Sequence, residues 1–170
     1  MIDNIPMILD KKQEVVMITG VSGMDGSLLA DKYLAKGWKV IGIDMWNPTG
    51  FSPNIQEAMK NELFILETGD ISEQEWIVRM VKKYTPNIIY NMAAISLVPE
   101  SFKIPHRIFN CNTFGVLNFL EAIREYSPST RYYQASTSEQ FGENKDTPQN
   151  LKSNMLANSP YAISKLASYH

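Results

Sequence analysis

The chain has 170 residues, 44% of them hydrophobic and 20% charged, with a net charge of −2. That is the size of one ordinary domain with enough apolar content for a sizeable core, and so small a net charge gives no reason to expect nucleic acid or an acidic membrane as partner. The single cysteine, Cys111, excludes an internal disulfide, residues 1–14 lack the apolar stretch of a signal peptide, and no apolar run approaches transmembrane length. The expectation is a cytoplasmic chain forming one domain over residues 1–170.

Short apolar runs alternate with longer amphipathic ones, which predicts a parallel sheet with helices packed on it. Val15–Thr19 reads as a buried strand. A glycine-rich turn follows, then a helix with Leu28, Leu29, Tyr33 and Leu34 at helical spacing, stopped by Gly37. Lys39–Asp44 is the second strand. The stretch from Met45 to Asn61 reads as a loop with a short helix around Ile55–Lys60. Leu63–Glu67 is the third strand. Ser72 and Glu75 have capping-box spacing, ahead of a helix with an apolar face of Trp76, Ile77, Met80, Val81 and Tyr84. Asn87–Asn91 is the fourth strand, and a long helix from His106 to Tyr126 sets Val116, Phe119, Leu120 and Ile123 on one side. Arg131–Ala135 is the fifth strand, residues 142–158 are loop, and a last helix starts near Ser159–Pro160. About five strands in β-α alternation predict an α/β fold, a doubly wound, Rossmann-like parallel sheet ordered 3-2-1-4-5.

The first turn reads TGVSGMDG over Thr19–Gly26, with Gly20, Gly23 and Gly26 between a strand and a helix. A pyrophosphate needs a tight turn, close backbone approach and a helix N-terminus aimed at it. Glycines allow the first two, and free N–H groups supply the third, so this turn, including Met24 and Asp25, is a candidate dinucleotide cradle. Asp44 ends the second strand where a carboxylate would receive the adenosine ribose hydroxyls and repel a 2′-phosphate, favouring NAD over NADP. Asp70, after the third strand, could reach the adenine or cap the next helix. In the last helix Tyr161 and Lys165 stand four residues apart and so share a face, where an ammonium can stabilise a phenolate as general base.

With the glycine turn, the Asn91-Met-Ala-Ala94 turn and Tyr161-x-x-x-Lys165 in this order, the chain resembles the extended short-chain dehydrogenase/reductase superfamily. Within it, "YQASTSEQFG" (Tyr133–Gly142), "TGVSGMDGSLLA" and "SPYAISK" are similar to the GDP-mannose 4,6-dehydratase family. The resemblance implies catalytic roles for Thr137, Glu139, Tyr161 and Lys165. It implies cofactor contacts at Ala93, Tyr161 and Lys165, and substrate contacts at Ser96, Thr137 and Ser138. In the chemistry it implies, Tyr161 takes the proton of the sugar 4-hydroxyl while hydride leaves C4, and Glu139 removes the C5 proton. Water then leaves C6 and the hydride returns there. Glu139 is expected to work if apolar neighbours such as Phe141 enclose it. Asn112 stands where related enzymes hold a proton-relay water.

Two departures are visible. No Arg or Lys follows Asp44 until Lys60, which argues against NADP, and Ile95 and Leu97 replace polar residues around Ser96. The resemblance also implies a C-terminal substrate domain that these residues lack. The fifth strand and the Tyr161 helix then expose apolar surface, and the isolated chain is expected to bind dinucleotide but turn over nucleotide-sugar weakly or not at all. Homo-oligomers through the long helix and the Tyr161 helix are expected. The alternatives are a 4-epimerase or reductase of the same superfamily, against which Glu139 argues, and a non-catalytic NAD-binding module. His106 and His170 stand alone and no metal site is expected; Cys111 reads as a small packing residue.

Overall fold

The computed structural model describes residues 13–45 and 52–170. The opening segment, including most of the stretch read for a signal sequence, and the 46–51 part of the predicted loop lie outside the described residues. Five parallel strands form one sheet in the order β3-β2-β1-β4-β5. They are β1 Val15–Thr19, β2 Lys39–Asp44, β3 Phe64–Thr68, β4 Ile88–Asn91 and β5 Arg131–Gln134. The helices are α1 Met24–Leu34, α2 Gln74–Tyr84, α3 Val98–Ser101, α4 Pro105–Phe109, α5 Gly115–Tyr126 and α6 Pro160–Tyr169. A π turn, Asn110–Phe114, joins α4 to α5, so the predicted long helix is continuous but irregular.

Successive β1 side chains enter opposite layers, as a pleated strand requires. Val16 and Ile18 pack with Val40, Ala30 and Tyr33 under α1, while Met17 packs with Ile41, Ile77, Val81 and Phe119 under α2 and α5. With both faces covered, β1 and β2 are almost wholly buried, which is why they read as continuous apolar runs. With β3 at the other end, β5 is one of the two edge strands. Its Arg131 and Tyr133 are exposed, and α1 leaves that end of its layer open. Among the described residues no helix is long and apolar enough to cross a membrane.

Several expectations are corrected. Leu28 and Leu120 are exposed rather than inward; Ala30 and Ala122 take the buried positions beside them. The short helix near 55–60 is two 3₁₀ turns, Pro53–Ile55 and Ala58–Lys60. The capping box is not formed: Glu73 precedes α2 without a side-chain cap, and the Ser72 hydroxyl donates instead to Asp70. At α6 the expectation holds, with Pro160 in the first turn and the Ala162 N–H donating to the Ser159 hydroxyl at 3.1 Å.

Candidate functional site

A cleft of about 400 Å³ opens at the carboxyl ends of the central strands, walled by Gly20, Gly23, Asp44, Asp70, Ala93 and Cys111 among others. That is where ligands sit in doubly wound sheets. Gly20 has φ +62°, and a Cβ there would stand 3.0 Å from the Ala93 nitrogen. A Cβ on Gly26 would lie 2.4 Å from the Gly20 carbonyl oxygen, so these glycines let the turn after β1 close on both α1 and the turn after β4. The first intrahelical bond, Ser27 N–H to the Gly23 carbonyl, is 3.0 Å long. It leaves the N–H groups of Met24, Asp25 and Gly26 ahead of the helix ladder, where an anion can accept from them. Their side chains contribute little: Met24 points to solvent, and Asp25 lines a separate groove with Leu28, Tyr90 and Tyr133 on the α1 side.

Asp44 is held at the rim of the cleft. Its carboxylate accepts from the Ser22 N–H at 2.9 Å and from the Met45 N–H at 2.8 Å, one on each oxygen. Each oxygen keeps a further lone-pair site for a hydroxyl donor. Asp70 accepts from both the N–H and the hydroxyl of Ser72, at 2.9 and 2.8 Å, fixing the entry to α2. A smaller adjoining cleft of about 300 Å³ is lined by Asp70, His106, Arg107 and Cys111 among others. Cys111 packs against the core, as expected, and also forms cleft wall; burial pushes its thiol up, with Asp70 adding to the effect.

Beneath the cleft runs a buried polar chain. The Thr19 hydroxyl donates to Asn91 Oδ1 at 2.5 Å and accepts from the Ala93 N–H at 3.0 Å. Asn91 Nδ2 and the Tyr132 hydroxyl both donate to Gln134 Oε1 at 2.8 Å. Gln134 Nε2 donates to the Ala135 carbonyl at 3.0 Å, and that carbonyl also accepts from the Lys165 ammonium.

Tyr161 and Lys165 are buried on α6. Burial lowers the Lys165 pKa from its ordinary range, with a smaller opposing influence from Cys111. Asn112 fixes this helix in place. Its Oδ1 accepts from the Ile95 N–H at 3.0 Å, and its Nδ2 donates to the Ile95 carbonyl at 3.1 Å and to the Ser164 hydroxyl at 3.2 Å. Thr113 donates to the Ser164 carbonyl at 2.9 Å. Both Nδ2 hydrogens of Asn112 are thereby occupied, which leaves its amide as a clamp between the turn after β4 and α6. Ser164, Ser168, Gln134 and Thr113 escaped the sequence reading. For Ser164 and Ser168 a signal existed, small hydroxyl residues four apart on one helix face.

Thr137 begins the 3₁₀ turn Ser138–Phe141, its hydroxyl accepting from the Glu139 N–H at 3.2 Å. Ser138 and Glu139 are exposed, as is Ser96 just past the cleft wall. The expected enclosure of Glu139 by Phe141 is therefore absent among the described residues, although the same turn packs against α6 and buries Gln140. The structure thus gathers Gly20, Gly23, Asp44, Asp70 and Ala93 around one cleft. Tyr161 and Lys165 are not among its walls, Lys165 reaching instead to the Ala135 carbonyl at the end of β5, and Ser96, Ser138 and Glu139 also lie outside it.

A parallel sheet of this order, a glycine turn opening a helix and a buried Tyr-x-x-x-Lys pair define a Rossmann-like fold of the short-chain dehydrogenase/reductase class. The family model described as GDP-mannose 4,6 dehydratase matches residues 17–170, and the chain belongs to that family. A GDP-mannose 4,6-dehydratase of Vibrio cholerae is 38% identical over 160 residues, covering 90% of this chain and 43% of its own length. One of Sinorhizobium fredii is 39% identical over 164 residues, covering 92% and 47%. The chain spans under half the length of these curated relatives. The solved UDP-glucose 4-epimerase of Thermus thermophilus, in complex with NAD, superposes with a TM-score of 0.78 at 28% identity, covering 92% of this chain and 49% of that one.

Proposed function

We propose that this chain is the cofactor-binding portion of a GDP-mannose 4,6-dehydratase, producing the 4-keto-6-deoxy nucleotide-sugar. The observation that carries the reading is a glycine turn closed against Ala93 together with a buried Tyr161 and Lys165 on α6, in a chain 38–39% identical to named dehydratases. The cradle suits a dinucleotide, since bare glycines at 20 and 26 let the turn close where a Cβ would strike backbone, and the pyrophosphate would lie at the N–H groups of Met24, Asp25 and Gly26. Asp44, with acceptor sites left for ribose hydroxyls and no cation after it before Lys60, supports NAD over NADP. Asp70 and Ala93 form the neighbouring wall.

When bound, the nicotinamide supplies a temporary store for a hydride. The protein residues move protons. Tyr161, with Lys165 on the same face of α6, takes the sugar 4-hydroxyl proton as general base, and Thr137 hydrogen-bonds that oxygen. Glu139 takes the C5 proton once C4 is a ketone, and Ser96 and Ser138 contact the substrate. The exposure of Glu139 supports little or no turnover by the isolated chain, which then behaves as an NAD-binding module. Phe114, Leu117 and Leu120 along the π turn and α5, with Ile163 on α6, expose an apolar stripe suited to self-association through these helices. The lone free Cys111 suits a reducing, cytoplasmic setting.

The test is calorimetric titration of the purified chain with NAD⁺ and NADP⁺, then GDP-mannose on the loaded sample. Binding of NAD⁺ in preference to NADP⁺ with no sugar turnover is expected. Silence toward both cofactors, or full-rate dehydration by the chain alone, would overturn the reading.

A further inference from the structure

The Lys165 ammonium is buried, and its recorded hydrogen-bond acceptor among the described residues is the carbonyl of Ala135, just past the end of β5. A backbone carbonyl at a strand end can swing when the ladder stops, so something must hold it. The Gln134 side chain does so by donating from Nε2 to the same carbonyl at 3.0 Å. Gln134 is itself held, because its Oε1 accepts from both Asn91 Nδ2 and the Tyr132 hydroxyl at 2.8 Å. Asn91 Oδ1 in turn accepts from Thr19, whose oxygen receives the Ala93 N–H beside Gly20.

We infer that Gln134 is a positioning residue for the Lys165 ammonium, acting through the Ala135 carbonyl to which both donate. A single amide thereby ties the placement of the ammonium to the glycine cradle across three strands. The proposal deepens, and rests on, the reading of Tyr161 and Lys165 as the proton-handling pair. Gln134 touches neither reacting group. Its oxygen is fully engaged by two donors, and its nitrogen has a specific acceptor, so the geometry requires a side chain with both an acceptor and a donor at this position. Glutamate supplies the acceptor alone, and leucine supplies neither.

The test is the titration of Lys165 followed by ¹³Cε NMR in the intact chain labelled at lysine, assigned with Lys165→Met. Cys111 is the titratable group acting on that ammonium, so the same titrations are repeated in a Cys111→Ser background. In Gln134→Leu the carbonyl loses its anchor and the ammonium its acceptor, and the Lys165 titration is expected to move down by about one unit. In Gln134→Glu a carboxylate stands beside the shared carbonyl, and the titration is expected to move up by about one to three units. A residue with a merely structural role would lower the melting temperature in both variants and leave the Lys165 titration where it was. That result would overturn the inference. Gln134→Leu strands the Tyr132 hydroxyl and the Asn91 amide, so if it does not fold, Gln134→Glu decides alone, and an unmoved titration there refutes the proposal. NAD⁺ titration of the unsubstituted chain reports separately on the catalytic reading, because Lys165 can titrate as expected in a chain that binds no cofactor.

Discussion

Gly26→Ala isolates the closest backbone approach in the cradle. The added methyl would meet the Gly20 carbonyl oxygen at 2.4 Å and the Val21 Cα at 2.9 Å, both backbone atoms that no side-chain rotation can move aside. Restoring ordinary contact near 3.5 Å requires α1 to retreat by roughly 1 Å. Overpacking of this kind costs about 1–3 kcal/mol, and the better helix propensity of alanine offsets about 1 kcal/mol of it. The net loss of up to about 2 kcal/mol should lower the melting temperature by up to roughly 8 °C in a chain of this size. The effect on binding should be larger, since the retreat withdraws the N–H groups of Met24, Asp25 and Gly26 together. Loss of one hydrogen bond to a charged phosphate already weakens NAD⁺ binding about tenfold or more. Gly37→Ala is the matched control. Gly37 has φ +75° and open space where its Cβ would be, so alanine there carries a left-handed strain of about 1–2 kcal/mol far from the cleft. Paired melting curves and NAD⁺ titrations separate the cases. Unchanged NAD⁺ affinity in Gly26→Ala, or an equal loss in Gly37→Ala, would refute the reasoning.

Lys165→Met should raise the melting temperature by about 2–4 °C near neutral pH, equivalent to about 1 kcal/mol, because it removes an ammonium held in a buried site. The sign with pH follows from the lowered folded-state pKa. The unfavourable charge is fully present below that folded value and is relieved as pH rises toward the unfolded value near ~10.4, so the gain should shrink across that window in pH-dependent melts. Asp44→Ala removes the acceptor of the Ser22 and Met45 N–H groups and the carboxylate that disfavours a 2′-phosphate. NAD⁺ affinity should fall by about tenfold while NADP⁺ affinity holds or rises, and parallel titrations in which both fall equally would reject that role. Asn112→Ala strands the Ile95 N–H and carbonyl in a partly buried setting, which should cost about 1–3 kcal/mol in urea unfolding. Wild-type stability in that variant would show that water replaces the clamp.

Local signals carried the sheet. β1 and β2 begin and end where their apolar runs do, and the strand order follows from β-α alternation and the short connections it permits. The glycine turn and Asp44 were legible because each depends on a position relative to a strand end. Faces of helices were less so: the wheel counted Leu28 and Leu120 as inward, but which neighbour arrives over a helix is not written in its own residues. The capping box failed through competition, since Asp70 sits two residues before Ser72 and takes its hydroxyl. Gln134 and Ser164 were invisible for a different reason. Their partners, Asn91 and Asn112, lie 43 and 52 residues away, so only the folded chain sets donor against acceptor. Glu139 could be named from its motif, but its surroundings are tertiary and no run of sequence specifies them.

The π turn at Asn110–Phe114 has a consequence for how this helix tolerates insertions and deletions. A π turn holds one residue more than the α register allows, so α4 and α5 obey two helical wheels set about 100° apart. Deleting any one residue of Asn110–Phe114 would let the helix run straight and would look harmless on a hydrophobicity plot. It would nonetheless rotate the turn bearing His106 and Arg107 away from Asp70 and carry Asn112 off the line joining Ile95 to Ser164. The helix is better described as two segments phased by a spacer, in which length itself is under constraint alongside the side chains of Cys111, Asn112 and Thr113.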